Sequence, residues 1–231
     1  MEQCQAVTHR RDNWRMKPYL TGWLIVATLS HFFTQAPYAE EQQIVGVPAH
    51  GYKAIEFVGR SEQDGNVVVH FGYLTRISGL AEDALFSDPN TRTEATAHFT
   101  FSGTTEITAR HELGNIIATA APGTLTMFFN ETPGGNFDDP GSFAAGAAIA
   151  TYTVHYHNTL NVQKENEGIA SAAADLLQQS AENFTLSGKK RRLGHVGLRQ
   201  RIEVTGQGTR TQIDPLQSFF LLGGHIINTG R

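Results

Sequence analysis

The chain has 231 residues, enough for one large domain that buries a full core without covalent staples. Hydrophobic residues make up 40% of it and charged residues 17%, which excludes both a disordered chain and one embedded in a membrane along its whole length. A net charge of −4 and a pI near 6.2 argue against a dedicated nucleic-acid binder. The charge is uneven. Residues 40–183 hold 6 Lys and Arg against 18 Asp and Glu, and residues 184–231 hold 8 against 2, so basic C-terminal strands are expected to pair with acidic neighbours.

Residues 1–39 read as an address. Arg10, Arg11, Arg15 and Lys17 precede the apolar run 23–29, which Phe32 and Phe33 extend. Ala36-Pro37-Tyr38-Ala39 follows, then Glu40-Glu41. A basic stretch, a short apolar run and a small residue before a polar start are the parts of a cleavable signal peptide. The run is too short to span a bilayer, which takes ~20 apolar residues. Met16 offers an alternative start for a signal of ordinary length. Cleavage after Ala39 would leave one β-rich domain, 40–231, without Cys4, Trp14 or Trp23, and so without cysteine or tryptophan. The expected mature protein is soluble, exported to a periplasm or the exterior, free of disulfides and without a transmembrane span.

From residue 54 onward the pattern is that of strands. Segment 54–58 is short and apolar. Segment 66–77 alternates Val67, Val69, Phe71 and Tyr73 against Asn66, Val68, His70 and Gly72, behind a turn at Asp64-Gly65. Segment 79–92 reads as a loop or one short helical turn. Segment 94–101 alternates again, Ser102-Gly103 reads as a turn, and 104–111 as the next strand. Segments 116–120 and 125–129 read as a hairpin about Pro122-Gly123. Segment 130–142 is the longest turn-rich stretch. Segment 149–162 is the longest strand candidate, with Tyr152, Val154, Tyr156 and Leu160 on one face and Thr151, Thr153, His155, His157 and Thr159 on the other.

Segment 169–179 is ambiguous. Its Ala and Leu residues favour a helix. The polar bend at 163–168 and the period-two pattern of its neighbours favour a strand returning along 149–162, with Ala170, Ala172 and Ala174 facing Tyr152 and Tyr156. The strand is the expectation. Segments 184–186, 196–205 and 218–228 complete the chain, and Gly206-Gln207-Gly208 reads as a loop. Many strands without βαβ alternation define an all-β domain: an antiparallel β-barrel or β-sandwich, calycin-like or jelly-roll-like, with at most one short helix.

Chemistry is thinly marked. His155 and His157, two apart on a strand, would project together and are the candidate metal ligands; His98 or His195 would have to complete the site. The loop with Asn130, Glu131, Asn136, Asp138 and Asp139 has oxygens for calcium but lacks the alternating acidic pattern of a calcium loop. No cofactor is predicted, a divalent metal being the one left open. Lys189, Lys190, Arg191 and Arg192 read as a solvated hairpin tip that could join Arg199, Arg201 and Arg210 in an anion-facing patch. Tyr152, Tyr156, Arg199 and Arg201 are the candidate ligand-binding residues, for a small apolar or anionic molecule. Nothing ties a serine, histidine and acid together, and no catalytic residue is assigned. The favoured reading is a non-enzymatic binder of a small apolar or amphipathic ligand, or of a partner surface. The alternative is a metal-dependent or His-based enzyme inside a β-barrel using His155 and His157.

Overall fold

A computed structural model of the chain describes residues 42–230; the segment read as a signal peptide lies outside the described residues. The strands are β1 (Gln43–Val45), β2 (Lys53–Asp64), β3 (Val67–Ile77), β4 (Phe99–Glu106), β5 (Ala109–Leu113), β6 (Ile116–Phe129), β7 (Ala147–Lys164), β8 (Glu167–Ala181), β9 (Asn183–Leu186), β10 (Lys189–Leu193), β11 (Arg199–Gln212) and β12 (Gln217–Asn228). Single 3₁₀ turns at Glu82–Leu85 and Pro140–Ala144 are the helical elements among the described residues.

Strands β2, β3, β4, β6, β7, β8, β11 and β12 each pair antiparallel with the next, β12 pairs back onto β2, and a closed 8-strand barrel results. Sequential neighbours all the way round make it an up-and-down barrel, so the closed barrel holds over the sandwich and the jelly roll. Closure leaves the long strands without open edges. A smaller sheet, β1-β10-β9, stands beside it.

Strand β8 settles the ambiguous segment. It returns antiparallel to β7 through a tight turn in which Asn166 takes φ 62°, with Lys164 opposite Glu167 and Tyr156 opposite Ala174. Helix propensity loses because every second residue from Gly168 to Gln178 is wanted inside the barrel.

Several glycines have a different role from the one their turn propensity suggests. Ser102-Gly103 and Pro122-Gly123 are not turns but strand interiors, and Gly206 and Gly208 lie within β11. A Cβ at Gly123 would stand 2.1 Å from the Thr104 carbonyl oxygen, so this glycine serves close approach of β6 to β4 rather than chain reversal. Pro122 is tolerated because its side of β6 faces the break between β4 and β5. The Ala120 carbonyl accepts from Thr108 N–H at that break, and Pro122, two residues on, faces the same way. The strand expected from residue 94 begins at Phe99, and Ala97 makes only a lone bridge to Phe86. Lys189–Leu193 is strand β10, and the turn before it is Ser187-Gly188.

The faces of β3 are the reverse of what its apolar residues suggest. Phe71 is fully buried, but outside the barrel wall, stacked on Phe137 and Phe143 at ring-centroid distances of 6.0 and 5.4 Å. The turn-rich segment 130–146 folds over that wall, and Thr100 Oγ1 donates to the Phe143 carbonyl oxygen at 2.7 Å. The inward face of β3 is Val68, His70, Gly72 and Leu74.

One end of the barrel is filled. Phe99, Phe129 and Phe184 interlock at 5.1–5.4 Å, and Val45, Leu85, Leu186 and Leu193 close over them. Gln178 ties the side sheet to this plug: its Nε2 donates to the carbonyls of Ser180 and Leu193, and its Oε1 accepts from His195 N–H.

Candidate functional site

The outer wall is where the predicted metal ligands fall. His155 and His157 are exposed on the outside of β7. His155 stands opposite Asp175 of β8, which stands opposite Arg201 of β11 and pairs with it at 3.2 Å. Arg199 joins His155 and Asp175 along a shallow external groove. Among the described residues no group of three or more His, Cys, Asp or Glu side chains is arranged to hold a metal ion. In the segment considered for calcium, Asn130, Asn136 and Asp139 turn side-chain oxygens onto the backbone N–H groups of Thr132, Asp138 and Gly141. Such outward rows are ordinary solvated surface, where exposed ion pairs contribute about 0–1 kcal/mol. Replacing His155 and His157 together by Thr is expected to change folding stability by no more than about 0.5 kcal/mol. A thermal melt with and without added zinc checks this; a zinc-dependent rise in Tm that the double variant loses would restore the metal site.

The predicted ligand residues separate. Tyr152 and Tyr156 point into the barrel, whereas Arg199 and Arg201 are exposed outside it, so the four do not form one site. Tyr152 belongs to the plug and core. Tyr156 lines the lumen, and burial pushes both phenols well above their ordinary range.

The lumen itself is the concave feature of the fold. Three contiguous chambers of about 70, 50 and 140 Å³ run from the plugged end toward the opposite one. The deep chamber is walled by Phe57, Leu74, Phe101, Leu125, Met127 and Ile226. The middle chamber adds Thr119, Asn158 and Leu160, and the outer one reaches Arg110, Glu165, Asn166, Arg210 and Leu216 at the hairpin end. Space exists because β8 offers Gly168, Ala170, Ala172 and Ala174 to the interior; an eight-stranded barrel with larger side chains there would fill itself.

One polar cluster sits in the deep chamber. His70 Nδ1 lies 2.7 Å from Ser61 Oγ, and Nε2 lies 2.9 Å from Thr105 Oγ1. The Tyr156 ring packs against the imidazole at 5.7 Å. The surface that His70 leaves uncovered faces the cavity, and desolvation lowers its pKa to about 4. At neutral pH the ring is therefore uncharged, donating to one hydroxyl and accepting from the other. A Ser–His contact invites comparison with a hydrolytic dyad. That chemistry must store a proton as imidazolium, which this enclosure disfavours, and among the described residues no carboxylate is hydrogen-bonded to His70.

Ser61, His70 and Thr105 escape a reading of the sequence because they lie on three different strands, β2, β3 and β4, with no motif to link them. The available signal was weak: a histidine that follows three valines and precedes Phe71 and Tyr73, on a strand whose other face was already apolar. The chain matches no protein-family model, no curated protein and no solved structure.

Proposed function

We propose that the barrel binds a small, mostly apolar molecule in its lumen, and that binding rather than catalysis is its work. The observation that carries this reading is the run of chambers from a polar mouth to an apolar end, where Ser61, His70 and Thr105 offer hydrogen bonds and Arg60 turns its guanidinium onto Phe219 and Glu62. Ligand pockets combine apolar walls with a few placed polar groups in this way. Charged and polar side chains cover the outside of the wall: the pairs Arg60–Glu62, Asp175–Arg201 and Glu203–His225 all lie there. Those residues suit a water-facing barrel rather than one with a lipid-facing band.

The test fills the space. Ala174 is buried opposite Tyr156 in the deep chamber, and Ala174→Ile would occupy it with a side chain suited to a strand. Titration with the uncharged fluorescent probe N-phenyl-1-naphthylamine is expected to saturate with the wild type. The variant should bind it at least about tenfold more weakly, while its stability falls by no more than about 3 kcal/mol. Affinity unchanged by Ala174→Ile, or no saturable binding to the wild type, would sink the reading.

A further inference from the structure

Asn158 lies at mid-lumen, only 8% exposed, and its Oδ1 has no hydrogen-bond partner among the described residues. Its cross-strand neighbours explain why: Ala172 on β8 has no polar atom to offer, and Thr119 on β6 leaves Oδ1 unbonded. The side chain lines the middle chamber, between the apolar walls of the deep chamber and the charged residues of the mouth. A buried carbonyl left unpaired is costly, and native folds rarely keep one without a use.

Resting on the reading that the lumen binds a ligand, we propose that Asn158 selects its chemistry: an uncharged molecule with an apolar tail and a hydroxyl or N–H donor, the donor bonding Asn158 Oδ1. The tail fills the deep chamber below. The donor is uncharged because the surroundings of Asn158 supply no free counter-charge. His70 is neutral, and Arg110, the charged residue reaching the middle chamber, is paired to Glu112 at 2.8 Å. A carboxylate or ammonium buried there would lack the partner it needs.

Competition against bound N-phenyl-1-naphthylamine tests this with 1-octanol, 1-chlorooctane and octanoate. The wild type is expected to prefer 1-octanol over 1-chlorooctane by at least about fivefold, although the chloride is the more apolar, and to take octanoate more weakly than either. In Asn158→Leu the order of the first two should reverse, because the apolar wall rewards the chloride. Asn158→Leu should also raise the Tm of the ligand-free protein, since it removes an unpaired buried carbonyl; Asn158→Ala serves if leucine disturbs folding. An unchanged octanol preference in the variants, tighter binding of octanoate, or failure of octanol to displace a probe that Ala174→Ile does weaken would overturn the role of Asn158 alone. Absence of any saturable probe binding would instead remove the lumen reading beneath it.

Discussion

Lowering the pH from 7 to 5 is expected to destabilise the barrel by about 2 kcal/mol through His70 alone, and by about 3 kcal/mol at pH 4. His70 is enclosed with its two ring nitrogens committed to Ser61 and Thr105, and desolvation lowers its pKa from 6.5 to about 4. Between those values the unfolded chain takes up a proton that the folded chain refuses. The stabilising contribution is therefore complete above pH 6.5 and is lost as pH falls through the window to 4. Most carboxylates titrate below this range, and the difference from a His70→Gln variant between pH 6.5 and 5 separates His70 from the other histidines. Urea unfolding at half-unit steps, wild type beside His70→Gln, measures it. Glutamine keeps a donor and an acceptor but does not titrate, so its curve should be flatter over that interval. Parallel curves would mean that His70 is not held neutral. Protonation of the folded chain itself, which would put a charge into the deep chamber, comes only near pH 4, so probe binding should hold from pH 6.5 to 5 and weaken as the pH approaches 4.

Gly72→Ala is expected to cost about 3 kcal/mol or to prevent folding. Gly72 and Gly59 face one another across β3 and β2, and the Phe101 ring lies over both. A Cβ at Gly72 would stand 2.3 Å from the Val58 carbonyl oxygen and 2.5 Å from Gly59 Cα. Those neighbours are backbone and cannot swing aside. Phe101 meets Phe57 edge-on at 5.4 Å and forms part of the deep chamber's wall, so the glycine pair also sets the floor on which that wall rests. Gly223 is the control. Nothing lies within 4 Å of the place its Cβ would take, and Gly223→Ala should leave stability within about 0.5 kcal/mol. Chemical denaturation of the two variants separates the cases. Equal stabilities would show that β2 and β3 can part at no cost.

What the chain determined by itself was periodicity. Alternation along β7 placed Tyr152, Val154 and Tyr156 inside and His155 and His157 outside, because a strand allows only two sides. The same rule carried β8 against its helix-forming composition. Periodicity cannot say which side is which where both are apolar, and the faces of β3 come out reversed for that reason: Phe71 is buried beneath a loop, and the lumen receives His70. Glycine is equally mute, since a turn and a close strand approach both ask for a missing Cβ; Gly103, Gly123 and Gly206 could be sorted only once their partners were in place. The candidate site lies further out of reach. Ser61, His70, Thr105 and Asn158 come from four strands up to 97 positions apart, and only the register of the closed barrel turns them onto one lumen. Tertiary structure decided the site because its chemistry belongs to no segment: each residue is an unremarkable polar side chain until the wall curves round and excludes water from it.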